Sequence, residues 1–405
     1  MSEQSNLLQT AKPHLYPNYA QSPFVLCRGQ GSRLWDMEGN QYLDLTAGIA
    51  VNTLGHAHPR LVSAIAAQAA QLMHVSNYFY NEPNLRLAQR LCETSGYSRA
   101  FFCNSGTEAI EMSLKLARRH FTSSSQPNRV RVIAFENSFH GRTMGSLAAT
   151  GQPKYRDGFG PLSAVTHVRY GDLGAVRAQM GPDVAAIVVE PVQGEGGIIV
   201  APEGFLEGLR EIATAHGALL IADEVQTGIG RTGQFLACAH RGVTPDIVAL
   251  AKGLGGGFPI GAVLCNEPLA ASLPPGSHGS TFGGNALASR AALTVLEVLE
   301  EERLIEAAAT KGRRLGEQLA RLREQFPSQI DATRGLGLLW AVEFAEAADV
   351  GAILEQCKKR GLLLTRAGSR ALRFSPALTV TPEELEEGVR LLGEVLKTDP
   401  RCVTS

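Results

Sequence analysis

Three short stretches of this sequence hold side chains able to do chemistry together. Lys252 follows the apolar run DIVALA and opens a glycine-rich turn, GLGGGFP. A lone lysine is ordinarily a solvated surface cation. One that ends a buried strand has its pKa lowered by burial and by nearby cations, as a Schiff-base lysine requires. Asp223 and Glu224 stand directly after another apolar run, ALLIA. Open α/β sheets place ligands at that end of their strands, where a carboxylate is costly unless it meets a cation. A strand-end acid facing water is the plainer reading. Ser105-Gly106-Thr107-Glu108 follows RAFFC with capping-box spacing, which alone accounts for Ser105 and Glu108. The same helix start offers free N–H groups and a positive dipole end to an anion, and Gly106 permits close approach.

An anion-binding helix start, a strand-end aspartate and a strand-end lysine are together the three supports of pyridoxal 5'-phosphate. They would hold the phosphate, keep the ring nitrogen protonated and condense with the aldehyde, respectively. The protonated ring is then an electron sink. The competing motif is Gly228-Ile229-Gly230-Arg231-Thr232-Gly233, a literal G-x-G-x-x-G that would suit a nicotinamide oxidoreductase. It does not begin at a strand end, since Asp223–Thr227 intervene, and the next acid, Asp246, starts a strand instead of closing one. Signatures of phosphate-loop enzymes, zincins and nucleophile-elbow hydrolases are absent from the sequence. His56 and His58 in GHAHP have no third ligand nearby, so a structural loop pair is expected and no metal.

The elements that must position these residues are legible as alternation. Strands are expected at 99–103, 130–135, 184–190, 218–222, 246–250 and 261–265. Helices are expected at 105–120 and from Pro202 to about Gly217. Continuous apolar strands between helices indicate a mainly parallel sheet covered on both faces, hence an α/β domain. Earlier, residues 24–45 read as a hairpin turning at Met37–Asn40, followed by a helix after Pro59. From residue 284 an Ala/Leu/Glu-rich stretch reads as one or two helices leading to a smaller unit. That unit has strands at 337–344, 361–365 and 371–375 and a closing helix from Pro382. The expected organisation is an N-terminal segment 1–50 whose hairpin packs on the small unit, a large α/β domain 51–285, and a small α+β C-terminal domain 286–405.

Composition narrows the classes further. The 405 residues are 44% hydrophobic and 19% charged with a formal net charge of −1. That balance is unlike a disordered chain and provides no basic excess for nucleic acid. The 43 glycines are clustered, pointing to tight turns and close backbone approaches. The 7 cysteines, scattered from Cys27 to Cys402 without a C-x-x-C pair, read as reduced thiols of a cytoplasmic protein. No apolar run approaches a membrane span, and the first residues lack a signal-peptide layout.

In order along the chain, SGTEA, FHGRT, VEPVQGEGG, DEVQTGIGRTG, AKGLGGGFPIGA, HGSTFGGNALA and LRFSPAL resemble the motifs of the class III aminotransferases of pyridoxal-phosphate fold type I. The likeness runs over about residues 15–397, and within the family it is to the acetylornithine and succinylornithine aminotransferases. It implies a seven-stranded sheet in the large domain and a homodimer with sites at the interface. Lys252 would bind the cofactor and shuttle the proton, and Asp223, with Glu224 beside it, would serve the ring nitrogen. Val225 and Phe139 would cover the two ring faces and Gln226 would reach the ring hydroxyl. Gly106 and Thr107 would contact the phosphate, with Thr281 reaching the phosphate of the neighbouring subunit and Ser280 lying near substrate. Arg142 would pair with the substrate carboxylate and Arg373 with the carboxylate beside the ketone of 2-oxoglutarate. Glu195 would mask Arg373 while a δ-amine reacts. Read singly, Arg142, Glu195 and Arg373 are surface ion-pair formers.

The implied reaction moves the δ-amino group of N2-acetyl-L-ornithine to 2-oxoglutarate, giving N-acetyl-L-glutamate 5-semialdehyde and L-glutamate, a step of arginine biosynthesis. Succinylornithine in arginine breakdown is the alternative, and the sequence does not separate the two caps. Free ornithine fits less well, because Ile49 in TAGIAVN stands where ornithine δ-transferases carry a tyrosine. Arg366 and Arg370 in TRAGSRALR are an unusual pair that leaves the local substrate contacts open.

Overall fold

The computed structural model describes residues 2–398; Cys402 lies outside them. Its centre is a seven-stranded sheet of β1 (Arg99–Cys103), β2 (Arg131–Phe135), β3 (Val165–Val168), β4 (Val184–Val189), β5 (Leu219–Asp223), β6 (Ile247–Leu250) and β7 (Gly261–Cys265). The strands lie in the order β1-β7-β6-β5-β4-β2-β3, and every pairing is parallel except those of β7. β4 is buried along its whole length because helices cover both faces, which is why it reads VAAIVV without alternation. β3 (VTHV) is not among the strands that the sequence pattern indicates. It is an edge strand, short and half polar, so it lacks the apolar signal of the central strands.

β1, β2, β4, β5 and β6 point the same way, so the segments that follow them gather at one edge of the sheet. After β1 the helix Gly106–Ser123 starts with Ser105 Oγ accepting the Glu108 N–H. The Glu108 carboxylate reaches back to the N–H of Asn104, at 2.6 Å, one residue earlier than in a standard capping box.

The Ala/Leu-rich stretch forms two helices, Ala286–Glu301 and Leu304–Gln325, separated at Arg303, which has φ +51°. Beyond them an antiparallel sheet has the spatial order Ile330–Leu336, Leu339–Phe344, Ala371–Phe374, Thr365–Ala367. The run expected as one strand at 361–365 is divided between two sheets. Leu362–Leu363 pairs with Gln41–Asp44 of the N-terminal hairpin, and Thr365–Ala367 folds back on Ala371–Phe374. The hairpin turn at Met37–Asn40 is present between Arg33–Asp36 and Gln41–Asp44.

The GIGRTG segment opens no helix. Its Arg231 is 3% exposed and donates to the carbonyls of Leu338 (3.1 Å) and Pro376 (2.5 Å), while Leu338 N–H donates back to the Arg231 carbonyl. The motif is therefore a docking loop for the C-terminal sheet, not a dinucleotide turn.

Candidate active site

The gathered strand ends surround a cavity of about 380 Å³ lined by Gly106, Thr107, Phe139, Asp223, Val225 and Lys252 among others, a volume within the usual range of small-molecule sites. Lys252 is the first residue of a 3₁₀ turn after β6 and has φ +40°. Burial and the guanidinium of Arg373 push its ammonium down to about 8, against the opposing charges of Glu195, Asp223 and Glu190. An appreciable fraction of the amine is thus neutral near physiological pH and available as a nucleophile or base.

Asp223 ends β5. Its Oδ1 accepts the Val225 N–H at 3.1 Å and its Oδ2 lies 2.7 Å from His140 Nδ1. Burial alone would lower the His140 pKa; the bond to Asp223 and the charges of Asp223 and Glu190 outweigh it and raise the pKa. Glu190, after β4, accepts the N–H groups of Phe139 (3.0 Å) and Gly194 (3.2 Å). Burial pushes the Glu190 carboxyl up to about 7; His140 opposes that rise and Asp223 adds to it.

At the helix start, a Cβ on Gly106 would sit 2.7 Å from a methyl of Val225, so only glycine lets these two walls approach. Thr107 Oγ1 meets the hydroxyls of Thr143 (2.9 Å) and Ser146 (2.7 Å) and accepts the N–H of Arg142 (3.1 Å). This ties the helix start to the Arg142 loop. The Arg142 guanidinium lies 4.0 Å from the centroid of Tyr155, whose ring is edge-on to Phe139 at 5.8 Å.

Arg373, in the C-terminal sheet, is 1% exposed, and its Nη1 lies 2.5 Å from Glu195 Oε1. It also donates to Gln226 Oε1 (3.2 Å) and Thr365 Oγ1 (3.1 Å). A buried guanidinium needs such partners, since its desolvation is otherwise uncompensated. Glu195 is held below the usual carboxylate range because Arg373 and the more distant Lys252 and Lys154 overcome the effect of burial.

Six expected positions are not in the cavity lining: Glu195, Gln226 and Arg373 form the cluster just described, and Glu224, Ser280 and Thr281 lie elsewhere. Glu224 turns away from the cavity: it is buried and accepts from Thr227 Oγ1 and from the N–H groups of Ala237 and Cys238. Successive side chains at a strand end point to opposite faces, so Asp223 and Glu224 cannot serve one ligand. Ser280 and Thr281 line a separate cavity with His278 and Glu111. Gln226 sits on Arg373 in this structure. Glu190, Tyr155 and Thr365 were not singled out in the sequence. Glu190 carries the same strand-end signal as Asp223; the other two owe their place to loop and sheet packing.

The chain matches the family described as Aminotransferase class-III over residues 15–396. It is 52% identical to the acetylornithine aminotransferase of Myxococcus xanthus, covering 94% of this chain and 95% of that protein. It is 45% identical to the succinylornithine transaminase of Salmonella typhimurium, covering 93% and 92%. The ornithine aminotransferase of Toxoplasma gondii superposes with a TM-score of 0.94 at 35% identity, covering 98% and 96%. A family match over nearly the whole chain, joined to a strand-end lysine within electrostatic reach of the paired Glu195 and Arg373, leads to one conclusion: the chain belongs to the class III aminotransferases.

Proposed function

We propose that this protein is a pyridoxal-phosphate-dependent acetylornithine aminotransferase, transferring the δ-amino group of N2-acetyl-L-ornithine to 2-oxoglutarate. The observation that carries the reading is the Glu195–Arg373 pair. A δ-amine has no carboxylate next to the reacting carbon, so a buried arginine there needs an internal counter-charge. 2-Oxoglutarate has one, and a carboxylate on a flexible side chain can give way to it.

The residues fit pyridoxal phosphate. The Gly106–Thr107 helix start suits its phosphate, Asp223 its ring nitrogen, and the gap between Val225 and Phe139 its ring. When bound, the cofactor supplies an electron sink for the carbon that bears the transferred nitrogen. Lys252, with its lowered pKa, is placed to anchor it and then to carry the proton between carbon atoms. His140 holds Asp223 through its Nδ1 contact with Oδ2. Arg142, steadied over Tyr155, suits the distant carboxylate of either substrate.

Tyr78, Phe79, Tyr80 and Phe282 are 93%, 71%, 89% and 59% exposed. Such a set of exposed aromatics suits a surface covered by a second copy. Ser280 and Thr281 neighbour Phe282 and lie outside the Lys252 cavity, which suits a contribution to the partner's site. The second reading, a succinyl cap, is favoured by the Salmonella relative. Free ornithine is disfavoured because apolar Ile49 offers its α-ammonium no polar contact.

Borohydride reduction of the cofactor-loaded protein followed by peptide mapping tests the reading: modification is expected at Lys252, and its absence there would refute the assignment. Comparing kcat/KM for acetyl-, succinyl- and free ornithine then ranks the substrates.

A further inference from the structure

The loop Gly194–Gly197 carries Glu195, and its backbone is held at three points. Glu190 Oε1 accepts the Gly194 N–H at 3.2 Å. Gly368 N–H donates to the Glu195 carbonyl at 2.8 Å. Arg334 Nε donates to the Gly197 carbonyl at 2.8 Å.

The third anchor has a particular geometry. Arg334 is opposite Ala341, Ala341 is opposite Arg373, and Arg373 is opposite Thr365 in the C-terminal sheet. Directly opposed residues share a face, so Arg334 and Arg373 project from the same side, two strands or about 10 Å apart. One side chain meets the Glu195 carboxylate, and the other meets the backbone carbonyl two residues on. Arg334 is itself steadied by an ion pair with Glu343, which also pairs with Arg370 at 3.0 Å, and Arg370 pairs with Asp331 at 2.7 Å. Gly197 has φ +116°, a backbone conformation that favours glycine, and Arg334 Nη2 packs against it. With its backbone pinned on both sides of Glu195, the loop leaves only the Glu195 side chain free to swing.

We propose that Arg334 is a positioning residue for the Glu195–Arg373 pair, fixing the loop backbone from the same sheet row as Arg373 and so setting the discrimination between δ-amine donors and donors with a carboxylate beside the reacting amine. This rests on the transamination assigned above. Loosening the loop takes Glu195 off Arg373 and exposes the guanidinium to α-carboxylates. Reaction with L-glutamate as donor then gains on reaction with N2-acetylornithine. A purely structural role lowers both together.

The test uses the cofactor-loaded full-length protein as wild type, Arg334→Met and Arg334→Lys. Single-turnover rates with each donor give the selectivity, and amide hydrogen exchange over residues 194–198 gives the loop's freedom independently of activity. The acetylornithine-to-glutamate ratio is expected to fall about tenfold in Arg334→Met, with faster exchange in the loop. Arg334→Lys keeps a charge beside Glu343 without the planar fork and shows the same direction; it also serves if the Met variant fails to fold. A folded variant with unchanged ratio and unchanged exchange overturns the proposal. A wild type that does not transfer amino groups from acetylornithine overturns the reaction assignment instead, and the exchange data still decide whether Arg334 braces the loop.

Discussion

Asp223 Oδ2 and His140 Nδ1 lie 2.7 Å apart, both side chains buried, although the residues are 83 positions apart in the chain. Removing one member of a buried pair costs about 3–5 kcal/mol. His140→Leu is therefore expected to lose stability of that order in denaturant unfolding, and His140→Asn, whose amide can donate to the same oxygen, to recover part of it. The folded-state pKa of His140 is raised above the unfolded value of about 6.5. Its contribution is complete below that pH and lost as pH rises through the folded value, so the gap between wild type and His140→Leu should narrow toward alkaline pH.

Lys252 shows the opposite sign. Its folded-state pKa, down to about 8, lies below the unfolded value of about 10.4. Between these values the unfolded chain binds more protons, so stability of the cofactor-free protein rises with pH across that window. Below it the buried ammonium is a cost. Lys252→Met is expected to stabilise the cofactor-free protein at pH 7 by on the order of 2 kcal/mol and to abolish the rise between pH 8 and 10, while losing turnover.

Arg373→Met removes the guanidinium proposed to receive the acceptor's carboxylate. Truncating one partner of a buried charge pair costs about 2–5 kcal/mol, so kcat/KM for 2-oxoglutarate should fall by about 30-fold or more. The acetylornithine half-reaction, followed by single-turnover kinetics, should fall by far less. Equal losses in both would show that Arg373 supports the cavity instead of binding the acceptor.

Tyr155 holds Arg142 by its ring face. A partly exposed cation–π contact is worth about 0.5–1 kcal/mol. Tyr155→Leu should raise KM for acetylornithine about two- to fivefold with little change in kcat, and Tyr155→Phe should restore it.

Arg231 spans the loop after Asp223 and the C-terminal sheet. Arg231→Met leaves the Leu338 and Pro376 carbonyls buried without their donor, at about 1–3 kcal/mol each. The melting temperature should fall accordingly, and KM for 2-oxoglutarate should rise because Arg373 is only three residues from Pro376.

The central strands were readable because burial on both faces leaves an apolar run with no polar interruption, as in VAAIVV. β3 and Ile330–Leu336 were not: the former is a half-polar edge strand, and the latter, IDATRGL, is mostly half-buried. The apolar run at 361–365 reads as one strand. Its five apolar and polar residues do not record that the chain changes sheets at Leu364.

Residue type and spacing alone picked out the candidates Lys252, Asp223 and Gly106 at strand ends and a helix start, because those positions in an α/β chain put side chains and N–H groups at one edge of a sheet. Tertiary structure alone decided the partners. Asp223 faces the cavity and Glu224 faces away, His140 rather than solvent completes Asp223, and Arg373 of the C-terminal sheet meets Glu195 of the loop Gly194–Gly197. Such pairings join segments far apart in the chain. Local periodicity specifies which face a residue occupies, but only packing of one element on another specifies what lies across from it.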